Sequence, residues 1–186
     1  EDIGRVTEML HHTDEAPAVL FDDIPGYPKG YRILVNANGD RRRLAFTLGL
    51  PVDISGQDLM DRFQSMAETV KPLPVEYVES GPVMENVLEG EAVDVLKFPT
   101  PKWHELDGGR YIGTGSSDIT RDPDEGWVNL GTYRVMVHDR NHVGFYISPG
   151  KHGRMHRDKY FARNEPCPVA VVIGGDPHLF ISSTLE

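Results

Sequence analysis

Prolines divide this chain into two regions of different side-chain periodicity, and that division constrains the fold more than any other feature. Up to residue 71 short apolar runs alternate with a 3.6-residue hydrophobic repeat. Pro72, Pro74, Pro82, Pro99 and Pro101 then interrupt the pattern. Proline fixes φ and donates no backbone hydrogen bond, so neither a long helix nor a central strand propagates through such a stretch. Beyond Pro101 the apolar runs are brief and separated by loops rich in Gly, Asp and Asn.

In the first region Ile3, Val6 and Leu10 recur at helical spacing. Residues 18–21 and 31–35 read as short strands, separated by turn formers at Pro25, Gly26 and Pro28. Asp40 is placed to cap a helix carrying Leu44, Ala45 and Leu48, which Gly49 and Pro51 end. Ser55 and Asp58 resemble a capping box, with Asp standing for the usual Glu or Gln. Leu59, Phe63, Met66 and Val70 follow as one apolar stripe, expected to pack in the core and to stop at Pro72 and Pro74. From Val75 short strand-like pieces are expected, with a domain boundary within 95–101. Further strands are predicted at 111–119, 128–138, 142–147 and 169–173, and a helix from Gly153 through Tyr160. The pattern predicts an α/β region followed by a mostly antiparallel sheet or small barrel.

Composition removes several function classes. The 186 residues have a mean hydropathy of -0.39 and no apolar run near the length of a membrane helix, about 18–20 residues. A net charge of -10 argues against a nucleic-acid partner, which needs a basic face. One cysteine, Cys167, excludes an internal disulfide and a cysteine zinc ribbon and suits a reducing cytosol. Flanked by Pro166 and Pro168 with no basic activator, it reads as an inert thiol. The chain shows neither an initiator Met nor a signal-peptide pattern, and its last apolar run, 179–181, meets no terminating turn signal. A piece of a longer chain is expected, with an incomplete site.

Side chains able to bind or react crowd into residues 103–156. In Asn129-Leu130-Gly131-Thr132-Tyr133-Arg134, read as the middle of a strand, Asn129, Gly131 and Tyr133 face one side while Leu130, Thr132 and Arg134 face the other. Gly131 would admit a ligand or a second backbone. The alternative is an edge strand with solvated Asn and Arg. Ser148-Pro149-Gly150-Lys151-His152-Gly153 runs from a strand into a helix start and could cradle an anion, with Lys151 near a phosphate, although no Walker pattern is present. His152 and His156 share a helix face, and His138 and His142 lie nearby. A three-histidine zinc site and a set of surface or structural histidines both remain open. Asn with one His instead suits Mn²⁺ or Mg²⁺. Ser116-Ser117-Asp118 lacks a nucleophile elbow, Asp107-Gly108-Gly109 reads as a turn, and Arg41-Arg42-Arg43 as a solvated helix face.

Taken in order, Pro99-Thr100-Pro101-Lys102-Trp103-His104, Asp107-Gly108-Gly109-Arg110-Tyr111-Ile112, Asn129-Leu130-Gly131-Thr132-Tyr133-Arg134 and Gly150-Lys151-His152 resemble the UbiD family of prenylated-flavin-dependent (de)carboxylases. The resemblance extends back through Pro25-Gly26-Tyr27-Pro28 and Arg41-Arg42-Arg43-Leu44-Ala45 and so covers nearly the whole chain.

The resemblance implies an N-terminal α/β domain over residues 1–97 and, over 98–186, a split β-barrel like that of flavin reductases, both incomplete. It implies prenylated FMN, a Mn²⁺ or Mg²⁺ ion bridging to the cofactor phosphate, and a K⁺ ion beside it. Asn129 and His152 would be metal ligands and Arg134 the catalytic arginine. Thr114, Gly131, Thr132, Tyr133, Arg134 and Lys151 would line the flavin and its phosphate. The implied activity is reversible, non-oxidative decarboxylation of an aromatic, heteroaromatic or α,β-unsaturated acid with release of CO₂. A third metal ligand, a Glu, is expected shortly after Glu186, with acidic catalytic residues and a homo-oligomerisation region further on. These 186 residues alone are therefore expected to be inactive. Two other readings stand beside this one: an FMN oxidoreductase on a split barrel without metal, and a non-catalytic binding or assembly module.

Overall fold

The computed structural model describes all residues except Glu1, Pro72, Val75 and Glu186, and only the backbone of Ala67. The first region holds helix α1 (Asp2–His11), strands β1 (Val19–Phe21) and β2 (Ile33–Val35), and helices α2 (Arg41–Thr47) and α3 (Gly56–Thr69). β1 and β2 pair antiparallel, with Val19 opposite Val35. Asp40 caps α2 by accepting the Arg42 N–H at 3.1 Å. Ser55 caps α3 by accepting the Asp58 N–H at 3.1 Å. The Asp58 carboxylate in turn accepts the Ser55 hydroxyl at 2.7 Å. Asp is one methylene shorter than Glu, so this pair closes side chain to side chain and differs from a full capping box.

The α3 stripe is core over only part of its length. Leu59 is 4% exposed and packs with Ala45 and Leu48, surrounded by Leu44, Leu50, Ile54, Phe63 and Ile181. Val70 is 65% exposed. It is the C-cap of α3, with an extended backbone that leaves the helical repeat. Of the two expected stop signals, Pro72 lies outside the described residues. Arg41 and Arg42 are exposed, but Arg43 corrects the reading of a solvated face. Its guanidinium donates to the carbonyls of Ala37 (3.1 Å), Asn36 (3.3 Å) and Ala16, tying α2 to the loops around β1 and β2.

No described residue between 76 and 98 lies in a strand, contrary to the expectation raised from Val75, itself outside the described residues. Three 3-10 turns (Pro82–Met84, Gly90–Ala92 and Val95–Lys97) replace it. A strand needs a ladder partner, and Pro82 starts a turn where such a ladder would run. Tyr77, Val78 and Val83 consequently remain exposed.

The second region contains two three-stranded antiparallel sheets, ordered β3-β6-β7 and β5-β4-β8. The predicted strand 111–119 is two strands, β3 (Arg110–Gly113) and β4 (Ser117–Arg121). The predicted strand 128–138 also divides, into β5 (Val128–Gly131) and β6 (Arg134–Val137). β5 pairs with β4 whereas β6 pairs with β3 and β7 (Val143–Tyr146), so Thr132 and Tyr133 carry the chain from one sheet to the other. Helix α4 (His152–Ala162) follows β7, then β8 (Val169–Val172) pairs with β4, and α5 (Pro177–Ser183) returns Ile181 to the α2–α3 core. No helix among the described residues is long and apolar enough to cross a membrane.

Leu59→Ala should lower the unfolding free energy by about 3 kcal/mol, whereas Val70→Ala should change it by less than about 0.5 kcal/mol. Chemical denaturation of both variants checks the contrast.

Candidate functional site

The corner between β5 and β6 is built around a buried carboxylate. Asp118 sits on β4 opposite Gly131 and is fully buried. Its Oδ2 accepts the backbone N–H of Tyr133 at 2.7 Å and the Ser116 hydroxyl at 3.3 Å. The Thr132 hydroxyl donates to the Ser116 carbonyl at 2.9 Å, closing the same corner. Asp118 Oδ1 has no hydrogen-bond partner among the described residues. Loss of water pushes the Asp118 carboxyl up to about 6, a rise that the Tyr133 N–H and Ser116 hydroxyl hold back.

From that corner the Tyr133 side chain reaches α4. Its hydroxyl accepts the Asn129 Nδ2–H at 3.0 Å and the Gly153 N–H at 3.1 Å. A Cβ on Gly153 would lie 2.5 Å from this hydroxyl, so the close approach requires glycine. Asn129, 4% exposed, is thereby joined to the first turn of α4, where His152 is exposed. β5 does lie at the edge of its sheet and Arg134 is exposed, as the alternative reading has it, but Asn129 is buried and not solvated. Asn129 and Tyr133 do meet, but around a corner between sheets, because side-chain alternation does not carry across the break at Thr132.

Arg134 begins β6 and is exposed. Its guanidinium carbon lies 5.5 Å from the centre of the Tyr146 ring, and both line a cleft of about 160 Å³ with Tyr111, Met136 and His138. Thr114 is exposed in the β3–β4 connection, and Gly131 is buried at the end of β5. Lys151 is the α4 N-cap, preceded by Gly150 at a φ of 88°. The helix start sets the positive pole of its dipole beside Lys151, which suits an anion such as a phosphate.

The histidines separate. His142 bonds Asp139 on an exposed turn, whereas His156 is fully buried and bonded to Thr120. The Trp127 ring packs edge-on against both His152 (5.2 Å) and His156 (4.2 Å). No group of three or more His, Cys, Asp or Glu among the described residues could hold a metal, so the three-histidine zinc reading is not supported. An amide oxygen with one imidazole remains as the donor set, which fits a hard divalent ion completed by other oxygens. Burial raises the Cys167 thiol, in keeping with an inert group.

Sequence reasoning missed the role of Asp118, and it placed His156 among histidines that could be zinc ligands, surface groups or structural groups, of which the last is what the structure shows. A signal existed for the first: Asp118 and Thr120 share one face of β4 with Ser116 just before the strand, three polar residues at alternate positions that the structure buries.

The pH dependence of Asp118 has a definite sign. Its folded-state value lies above the ordinary 3.8, so its ionisation costs stability progressively as pH rises from about 3.8 to about 6 and fully above that, and acidification relieves the cost. Relative to Asp118→Asn, the wild type should gain on the order of 1 kcal/mol from about pH 7 to about pH 5 after solvent screening. Denaturation of both proteins at the two pH values measures it; parallel profiles would contradict the assignment.

The arrangement has counterparts among known proteins. Residues 2–63 match the 3-octaprenyl-4-hydroxybenzoate carboxy-lyase N-terminal domain, and residues 76–186 match the Rift-related domain of the same enzymes. The chain is 34% identical over 183 residues to the pyrrole-2-carboxylic acid decarboxylase of Pseudomonas aeruginosa, covering 95% of this chain and 36% of that protein. It is 30% identical over 197 residues to ferulic acid decarboxylase 1 of Saccharomyces cerevisiae, covering 99% of this chain and 39% of that one. Among solved structures, the closed form of Sedimentibacter hydroxybenzoicus vanillic acid decarboxylase superposes with a TM-score of 0.89 at 29% identity, over 98% of this chain and 39% of that one. The UbiD-class enzyme HmfF from Pelotomaculum thermopropionicum, in complex with FMN, gives 0.81 at 26% identity over 96% and 38%. An evolved dimeric form of HmfF in complex with prFMN gives 0.80 at 26% identity over 96% and 40%. The chain thus spans about 36% to 40% of the length of these relatives. With both domain models matched in order along almost all of its residues, the chain belongs to the UbiD family.

Proposed function

We propose that this chain supplies the metal-binding and flavin-phosphate end of a prenylated-flavin-dependent carboxy-lyase. The observation that carries the reading is the Tyr133 hydroxyl, which links Asn129 to the first turn of α4 beside His152. Asn129 and His152 would hold Mn²⁺ or Mg²⁺, and Lys151 with the α4 N-terminus would meet the cofactor phosphate, with K⁺ alongside. Thr114, Gly131, Thr132 and Tyr133 would border the flavin. Residues 1–97 would form one domain and 98–186 a split β-barrel, a reading supported by the two three-stranded sheets joined at Thr132 and Tyr133.

When bound, the prenylated flavin supplies the electron sink that makes loss of CO₂ from an aromatic, heteroaromatic or α,β-unsaturated acid feasible. Arg134 would hold the substrate carboxylate through paired N–H bonds, and the Tyr146 ring, 5.5 Å from its guanidinium carbon, attracts the cation to that side of the cleft. Asp118 keeps the corner that carries Arg134 in place, through the N–H of Tyr133. The complete enzyme is a cytosolic homo-oligomer. An FMN-dependent oxidoreductase without metal would give Asn129 and His152 no common partner, whereas the Tyr133 bridge favours a shared one.

The reading is tested in the full-length protein, loaded with prenylated FMN and Mn²⁺ and offered a panel of aromatic and acrylic acids with ¹³C-bicarbonate. Label should enter the carboxyl group of the acid only with the prenylated cofactor. Redox turnover with plain FMN and no carboxyl exchange would overturn it. Arg134→Lys should reduce kcat/KM on the order of 100-fold, because a point charge replaces a planar fork. Tyr133→Phe should weaken Mn²⁺ binding about tenfold, with a loss of about 1–2 kcal/mol in unfolding free energy. Calorimetric titration and denaturation measure the two effects.

A further inference from the structure

His156 is a fully buried imidazole with no place in the mechanism above. Its surroundings join every element that presents the two metal-ligand residues. Nδ1 lies 2.9 Å from the Thr120 hydroxyl, and Thr120 is the residue on β4 directly opposite Asn129. Nε2 lies 3.7 Å from Asp122 Oδ2. Asp122 is itself fixed by the N–H groups of Asp124 (2.8 Å) and Glu125 (2.9 Å) and by Lys159 of α4. The Lys159 ammonium holds the Asp122 carboxyl below its usual range, so a charged carboxylate faces the ring. The His156 ring also packs at 4.2 Å against Trp127, whose ring meets His152 as well, at 5.2 Å, one helical turn before His156.

We infer that His156, through Thr120 and Trp127, is a positioning residue that sets the relative placement of Asn129 and His152 for a divalent cation. The inference rests on the metal reading given above. An apolar side chain of similar volume would fill the same space without the cost of burying a polar ring. The imidazole adds direction: the contact with Thr120 fixes its rotation, and the ring then orients the indole of Trp127. That indole bears on His152 and precedes Asn129 by two residues. Metal sites commonly depend on such outer groups to aim their ligands.

The test uses the full-length protein and Mn²⁺ alone, with free Mn²⁺ followed by its electron paramagnetic resonance signal and stability followed by thermal unfolding. His156→Phe should raise the Mn²⁺ Kd about 10- to 100-fold. His156→Asn, whose amide can occupy the position of Nδ1, should recover part of that loss. Thr120→Val, close in volume, should weaken binding several-fold while lowering the unfolding temperature by only a few degrees, and it serves if His156→Phe does not fold. Unchanged Mn²⁺ affinity in folded His156→Phe or Thr120→Val overturns the positioning role while leaving the metal site intact. Wild-type protein that fails to bind Mn²⁺, or binds it equally well after His152→Ala, overturns the metal reading and this inference with it.

Discussion

Tyr133 is the residue on which the arrangement depends. Its backbone N–H is held by Asp118 at the crossing between the two sheets, and its hydroxyl holds Asn129 and Gly153. One residue, through its backbone and its side chain, thus links β4, β5, β6 and α4. Each bond is worth about 1 kcal/mol in net stability, so their larger effect is geometric. They fix how the end of β5 and the start of α4 stand towards each other, and Arg134 follows at the first position of β6.

The electrostatics of this region run against the average of the chain. The whole sequence has a net charge of -10, yet α4 with its two caps contains Lys151, Arg154, Arg157, Lys159 and Arg163 against the single acid Asp158. At its C-terminal end Lys159 and Arg163 pair with Asp122 and Asp124. The N-terminal end brings Lys151 and His152 together with the positive pole of the helix. Net charge speaks to solubility and to non-specific partners, whereas an anion site is decided by the few groups within a Debye length of it.

Local chemistry was legible wherever it depended on neighbours in sequence. Asp40 and Ser55 cap the helices they precede, and the short strands after residue 101 lie close to where alternation places them. Three features were not legible because they depend on distant partners. The break at Thr132 and Tyr133 lies inside an uninterrupted strand-like run, since both residues suit a strand and only the change of sheet ends it. The segment between 76 and 98 has apolar residues at strand-like spacing but no ladder to join. His156 looked like one of four comparable histidines until burial and Thr120 set it apart from His138 and His142. The candidate site residues were carried by the family resemblance. The structure adds the hydroxyl that joins Asn129 to α4 and the buried carboxylate behind it.

The most direct measurement is anomalous diffraction from crystals of the full-length protein grown with FMN and Mn²⁺. The account predicts one manganese peak at bonding distance, about 2.0–2.3 Å, from both the Asn129 amide oxygen and a His152 ring nitrogen, with the flavin phosphate beside Lys151. A manganese peak away from these two side chains, or a flavin phosphate bound elsewhere with Asn129 and His152 making no contact to metal, would contradict it.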